Sequence, residues 1–306
     1  MPSRILIFCS LFSFFFFSAA LIKNISKLPM IYFVQIINNN LLTFQYEIIN
    51  EECYLTICQS RYNQSAIFSH KLKATIHQPQ YFPYAGFFHK LSLADIFVIL
   101  DDAQYDKRFT NRNKIIATND WIWITVPINK DHKFLPNIFV EINNNLKWKE
   151  VHWKKIYQSY ANTKHFKLYR DYLHNLYKKE WNMLFDLDFE TLKKTIDWLG
   201  IKIEIVRSSE LKANGRSTER LVNICKEMGA DTYVSGKDGR NYMDEKLFEK
   251  NNIKLEYQHY VYPQYQQHLS RSFVPDLSII DMLANVGPDC MRLINETNSN
   301  LMELKH

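Results

Sequence analysis

The chain predicts an α/β fold: a Rossmann-like, mostly parallel sheet with a small β-hairpin region and an inserted helical block. Three observations carry that prediction. Residues 73–90 read as a short apolar strand ending at His77, a polar loop containing Pro79 and Pro83, and an amphipathic helix opened by Gly86. A second strand, Ile96-Phe97-Val98-Ile99-Leu100, follows and ends on the paired acids Asp101 and Asp102. Short strands alternate with helices again beyond residue 200, on the far side of a helical stretch.

The elements follow in order. After Asp102 a polar, aromatic-bearing loop runs to Lys114, long for a connection in a compact domain and so a functional candidate. Strands are expected over 113–117 and 121–128, with Thr118-Asn119-Asp120 as the turn, and a third over 138–142 beside them. The helical block covers about 146–200. Its stripes are Trp148, Val151, Ile156 and Tyr160; then Tyr169, Tyr172, Leu173 and Leu176; then Phe189, Leu192, Ile196 and Leu199, stopped by Gly200. The sheet resumes over 203–206. Ser217 with Thr218 is expected to cap a helix over 218–228, and a strand over 232–234 opens onto Ser235-Gly236-Lys237-Asp238-Gly239-Arg240. A helix over 245–250 and a strand over 254–258 follow. Asp276 is the expected cap of a last helix carrying Leu277, Ile279, Ile280, Met282 and Leu283.

Length and composition bound the function classes. The 306 residues suffice for one large domain, divided here into an extension over 1–72 and an α/β domain over 73–306. The net charge of +6 comes without a dense basic block, so it names no partner. The five cysteines show no zinc-like pairing and are expected as reduced, packed thiols. Residues 5–22 form an almost unbroken apolar run between Arg4 and Lys23. Three readings stay open: a signal peptide cut near Ser18-Ala19-Ala20, a membrane anchor, or upstream sequence translated with the protein. A membrane partner is expected only if that segment works as an anchor or signal; otherwise the chain is expected in the cytoplasm.

Candidate site residues cluster where strands end, because ligands of open parallel sheets sit beyond the carboxyl ends of the strands. His77 and Gln78 precede Pro79, which bars helix there and holds both side chains at the sheet edge. Tyr81, Gly86 and Lys90 accompany them, Lys90 as a phosphate-facing cation one turn into the helix. Asp101 and Asp102 suit Mg²⁺ binding or general-base work, and capping of the next loop is the structural alternative. Lys107, Arg108, Asn111, Arg112, Asn113 and Lys114, with Gln104 nearby, form a basic, amide-rich run. The run is short and opposed by Asp101, Asp102 and Asp106, so a small anionic ligand suits it better than nucleic acid. Ser235, Gly236 and Gly239 permit close backbone approach to a ligand, though the spacing matches neither a P-loop nor a dinucleotide fingerprint. Tyr257, Tyr260, Tyr262 and Tyr265 offer rings for a sugar or base, or simply pack a long loop. The reading requires His77, Asp101, Arg112 and Ser235 to share one crevice.

Several irregular motifs, in order over about 73–294, resemble the WbqC-like family. They are His77-Gln78-Pro79, Tyr81-Phe82-Pro83, Gly86-Phe87-Phe88 with Lys90, Leu100-Asp101-Asp102 with Gln104, and Asn111-Arg112-Asn113. Later come Thr218-Glu219-Arg220-Leu221, Ser235-Gly236 with Gly239, and Phe273-Val274-Pro275 with Leu277-Ser278. Members begin near the equivalent of Lys73, so residues 1–72 depart from the pattern. The resemblance implies bacterial surface-polysaccharide (O-antigen) synthesis and a glycine-transferring role on an amino sugar. A fainter similarity reaches nucleotidyl transferases with an H-x-G-H motif; here Tyr84-Ala85-Gly86-Phe87 holds that register, with aromatic rings in place of both histidines.

The resulting expectation is a transferase moving an aminoacyl or acyl group to a nucleotide- or lipid-linked amino sugar. His77 or Asp101 would take the proton of the attacking amine, and Lys90, Lys107 and Arg112 would hold phosphate or carboxylate. The alternatives are a nucleotidyl transferase using ATP and Mg²⁺, and a non-catalytic binder of a sugar nucleotide.

Overall fold

The computed structural model describes residues 71–118 and 120–303, and before them only four strand segments. Residues 1–70 and 71–306 form two compact units. In the first, Ile31–Ile37, Asn40–Ile49 and Glu52–Ser60 pair antiparallel in sequence, and Leu6–Phe8 runs parallel to Ile31–Ile37. Apart from Leu6–Phe8, the apolar run over 5–22 lies outside the described residues, and its three readings stand as they were.

The second unit is α/β. Its sheet strands are β1 (Lys73–His77), β2 (Ile96–Ile99), β5 (Glu204–Arg207), β6 (Thr232–Ser235) and β7 (Lys254–Tyr257). All pair in parallel, in the order β7-β6-β1-β2-β5. Chain order therefore moves outward from β1 through β2 to β5, then returns to the opposite side of β1 at β6. That reversal is the topological switch point of a doubly wound sheet, where a crevice opens beyond the strand ends. A separate hairpin, β3 (Arg112–Ala117) and β4 (Asp120–Thr125), interrupts the wind.

Burial on both faces explains the near-continuous apolar strands. Phe97 and Ile99 enter the core beneath α1 (Ala85–Ser92) with Phe87, Phe88 and Leu91. Ala74, Ile76, Ile96 and Val98 pack on the other face. There they meet Val222, Ile224 and Cys225 of α5 (Ser217–Glu227) and Phe248 of α6 (Glu245–Lys250). Each fully buried Phe or Ile side chain contributes about 1.5–3 kcal/mol relative to exposure, so the two-sided core holds the strand tips in place. The inserted block is α2 (Trp148–Tyr160), α3 (Arg170–Lys178) and α4 (Leu184–Leu199), which ends on Gly200 at φ +65°. The chain closes with α7 (Ile279–Val286) and α8 (Cys290–Glu303). No helix among the described residues is long and apolar enough to cross a membrane. Cys225 and Cys290 are free, buried thiols, and burial pushes both up to about 12.

Three local expectations fail. Residues 138–142 are not a strand: Asn137–Phe139 is a 3-10 turn, Ile138 N–H donates to Asp101 O and Val140 N–H to Asn137 O, so ladder donors are spent elsewhere. Ser217 does not cap α5; it sits at φ +48°, and Thr218 Oγ1 instead accepts from Asp244 N. Ser278, not Asp276, caps α7, its hydroxyl accepting from Ile280 N at 3.3 Å.

Candidate functional site

His77 ends β1 and Ser235 ends β6, neighbouring strands on either side of the switch point. Thr75 Oγ1 donates to Val234 O at 2.8 Å and locks the two tips together. The half-buried His77 ring packs edge-on against Phe87, 5.2 Å between centroids. Its Nδ1 lies 2.9 Å from Gln78 O. A carbonyl only accepts, so Nδ1 carries the hydrogen and Nε2 keeps its lone pair. Burial, reinforced by Lys90, lowers His77 to about 3, so the imidazole is neutral at pH 7.

Lys90 is buried in α1 at 4 % exposure. Its Nζ lies 5.8 Å from the Phe87 ring centroid, with no carboxylate partner among the described residues, and burial lowers the amine to about 7. Gln78 Oε1 is buried without a hydrogen bond. Asp106 and Arg108, ion-paired at 2.6 Å, lie close enough to act on the charge of His77. Arg108 in turn feels Asp238 and Tyr242 of the loop after β6. In that loop a Cβ on Gly236 would meet nothing, whereas one on Gly239 would collide with Ser235 Oγ and the Met243 methyl. Gly236 thus leaves open space above β6, and Gly239 is a packing requirement.

The acids at the next tip are differently placed. Asp101 is fully buried and accepts from Arg207 Nε (2.8 Å), Ser208 Oγ (3.1 Å), Ser209 N (2.9 Å) and Ser209 Oγ (2.6 Å). Burial alone would raise its pKa; the bonds from Ser209, Arg207 and Ser208 together outweigh that and hold it below the usual range. Asp102 accepts from Arg220 of α5 at 2.5 Å and lies 2.5 Å from Ser208 Oγ, whose single hydrogen it shares with Asp101. These carboxylates tie the loop after β5 and α5 to the tip of β2. Mg²⁺ does not fit them, since binding would displace those donors.

Other expected residues also turn out to be scaffold. Tyr81 is fully buried, and its hydroxyl lies 2.5 Å from Tyr177 Oη and 3.2 Å from His152 Nδ1. Asn113 Nδ2 donates to Phe82 O at 2.7 Å and also reaches Tyr81 O, while its Oδ1 accepts from Lys114 N. Phe82 sits at φ +44°, a strained region for a bulky residue, and Asn113 holds it there. Gly86 gives room to the Tyr84 and Tyr260 rings, the latter 2.8 Å from where a Cβ would stand.

The remaining four residues define a second feature. Gln104, Lys107, Asn111 and Arg112 line a cavity of about 490 Å³ beside the hairpin, together with Lys130 and Lys133. Neither His77 nor Ser235 is on its wall, and Asp101 is buried elsewhere. The single crevice required of His77, Asp101, Arg112 and Ser235 is not formed: His77 and Ser235 share the β1/β6 tips, Arg112 lines a separate basic cavity and Asp101 is buried, so any transfer chemistry rests on the strand tips alone. Sequence reasoning missed Lys130 and Lys133, brought to the wall by a 3-10 turn, Lys130–Phe134.

A family model described as the WbqC-like protein family matches residues 78–293. The chain belongs to the WbqC-like family. The uncharacterized protein Rv1507c of Mycobacterium tuberculosis is 34% identical over 226 residues, covering 72% of this chain and 97% of that protein. No solved structure matches the chain. The matched span of this WbqC-like chain includes Gln78 and Lys90, the β6 loop and every cavity-lining residue.

Proposed function

We propose that this WbqC-like chain is a transferase that joins an aminoacyl or acyl group to the amine of a small anionic acceptor such as a sugar nucleotide. The observation that carries this is the tip of β1: a neutral imidazole with its Nε2 lone pair free, beside an unpaired buried amine, at the switch point of a parallel sheet. The acceptor nitrogen attacks the acyl carbonyl carbon, a C–N bond forms, the bond to the donor's leaving group breaks, and Nε2 of His77 takes the proton lost by nitrogen. Protonated Lys90 faces the negative charge that develops on the carbonyl oxygen or leaving group. Gln78 Oε1 offers an acceptor for the incoming N–H, and Gly236 admits the ligand close to the backbone. Asp101 and Asp102 position loops and do no chemistry. A cytoplasmic place and a part in surface-polysaccharide synthesis go with this reading.

The strand order supports a second reading, a nucleotidyl transferase, because this sheet type holds nucleotides at the same crevice. The experiment incubates the protein with glycine, ATP and an amino-sugar nucleotide, reading amide product by mass spectrometry and pyrophosphate separately. Amide product that His77→Gln abolishes supports the first reading. Pyrophosphate without amide favours the second, and wild-type turnover by His77→Gln overturns the role given to His77.

A further inference from the structure

The basic cavity beside the hairpin has a chemistry of its own. Lys107, Arg112, Lys130 and Lys133 reach its wall, no carboxylate does, and none of the four has a carboxylate partner among the described residues. Arg112 is held over the Trp123 ring, its guanidinium carbon 4.3 Å from the centroid and its Nε donating to Arg108 O, so its outer N–H groups remain available. Two carboxylates act on Tyr105 of the wall: Asp106, which is ion-paired with Arg108, and Asp188, whose oxygens have no hydrogen bond among the described residues and whose charged form burial disfavours, holding it well above the carboxylate range.

Cations alone would specify only an anion. Asn111 specifies more. It is 6 % exposed, and its Nδ2 donates to Val126 O at 2.7 Å, which fixes which end of the amide is oxygen. That Oδ1 has no hydrogen-bond partner among the described residues and is closed to solvent, so a ligand at the wall meets it only after a small shift of the side chain. An orphaned acceptor of this kind is destabilising until a donor reaches it. The cavity therefore calls for a ligand carrying negative charge and, beside it, an O–H or N–H group.

We propose that this cavity binds a phosphorylated sugar, its phosphate on Lys107, Arg112, Lys130 and Lys133 and a neighbouring hydroxyl donating to Asn111 Oδ1. The inference deepens the transferase reading by naming the class of its anionic substrate, and it places that substrate's phosphate away from His77.

The test is calorimetric titration of the full chain at low salt with glucose 1-phosphate, methyl phosphate, inorganic phosphate and glucose. Glucose 1-phosphate is expected to bind at least about fivefold more tightly than methyl phosphate, which has the charge without the donor, while glucose alone fails to bind. The double variant Lys130→Ser/Lys133→Ser, at two exposed positions, keeps its melting temperature and loses at least about tenfold in affinity for every phosphate probe. His77→Gln leaves all these affinities as in the wild type. Failure of every phosphate probe to bind, or unchanged binding by the double variant, overturns the site. Equal affinity for methyl phosphate and glucose 1-phosphate overturns the role of Asn111. Loss of binding in His77→Gln moves the ligand to the strand tips and removes the cavity from the account. Intact sugar-phosphate binding in a protein that makes no amide product would remove the transfer chemistry and leave the cavity standing.

Discussion

The tips of β1 and β2 are neighbours in one parallel sheet, and both carry polar side chains at the edge where ligands bind. At β2, Asp101 is wholly buried, and donors from Arg207, Ser208 and Ser209 meet its carboxylate. At β1, among the described residues, His77 has one bond to its own loop, Lys90 meets no carboxylate, and Gln78 Oε1 accepts no hydrogen bond. A buried charge met by four donors is structure, because any ligand must first displace them. Polar groups left short of partners in a crevice are the ones with chemistry to offer.

The largest effect should come from the satisfied tip. Asp101→Ala leaves the Arg207 charge and the Ser208 and Ser209 donors without their acceptor, and urea unfolding should show a loss of about 3 kcal/mol, the low end for a broken buried pair because the Arg207 side chain is 37 % exposed. Because its folded-state pKa is depressed, the stability Asp101 supplies is present above the ordinary carboxylate range and is lost as pH falls through the folded value. The contrast breaks if Asp101→Ala folds as firmly as the wild type.

At the other tip the order of effects reverses. His77→Gln should lower turnover about 10²-fold, the low end for a positioned base because burial leaves this imidazole a weak one, with a stability change under about 1 kcal/mol. Asn113→Ala tests the scaffold between them. It strands Phe82 O and releases a strained backbone, and thermal unfolding should report a loss of about 1–3 kcal/mol.

Lys90→Met sharpens the comparison through pH. The Lys90 amine is lowered from 10.5 to about 7 by burial, so between those values the unfolded chain holds a proton that the folded chain lacks. Stability should therefore rise with pH across that window, by up to about 1.4 kcal/mol per unit, and Lys90→Met should flatten the rise. An unchanged slope in the variant would mean that Lys90 is charged and paired. The smallest effect belongs to Asp102→Asn, which keeps an acceptor for Arg220 in a partly buried pair and should cost about 1 kcal/mol.

Much of this fold was legible in the sequence. Apolar runs such as Ile96-Phe97-Val98-Ile99 mark strands buried on both faces, and the Phe87, Phe88 and Leu91 stripe marks the helix beneath them. The order of strands was not, because β6 pairs with β1 across more than 150 residues and local patterning carries no trace of that. The candidate site divided the same way. His77 could be placed from a strand that stops at a proline. That Asp101 is saturated depends on Ser208, 107 residues along the chain, and on how two loops meet. The cavity lysines, Lys130 and Lys133, belong to a 3-10 turn whose place beside Arg112 follows only from tertiary packing.

Long-range proton–nitrogen NMR of the His77 ring between pH 5 and 8 tests the central distinction most directly. A protonated Nδ1 and a bare, pyridine-like Nε2 that shows no titration across the range is the expected spectrum. A cationic ring, or a proton on Nε2 with Nδ1 bare, would contradict it and take away the base on which the transfer chemistry stands.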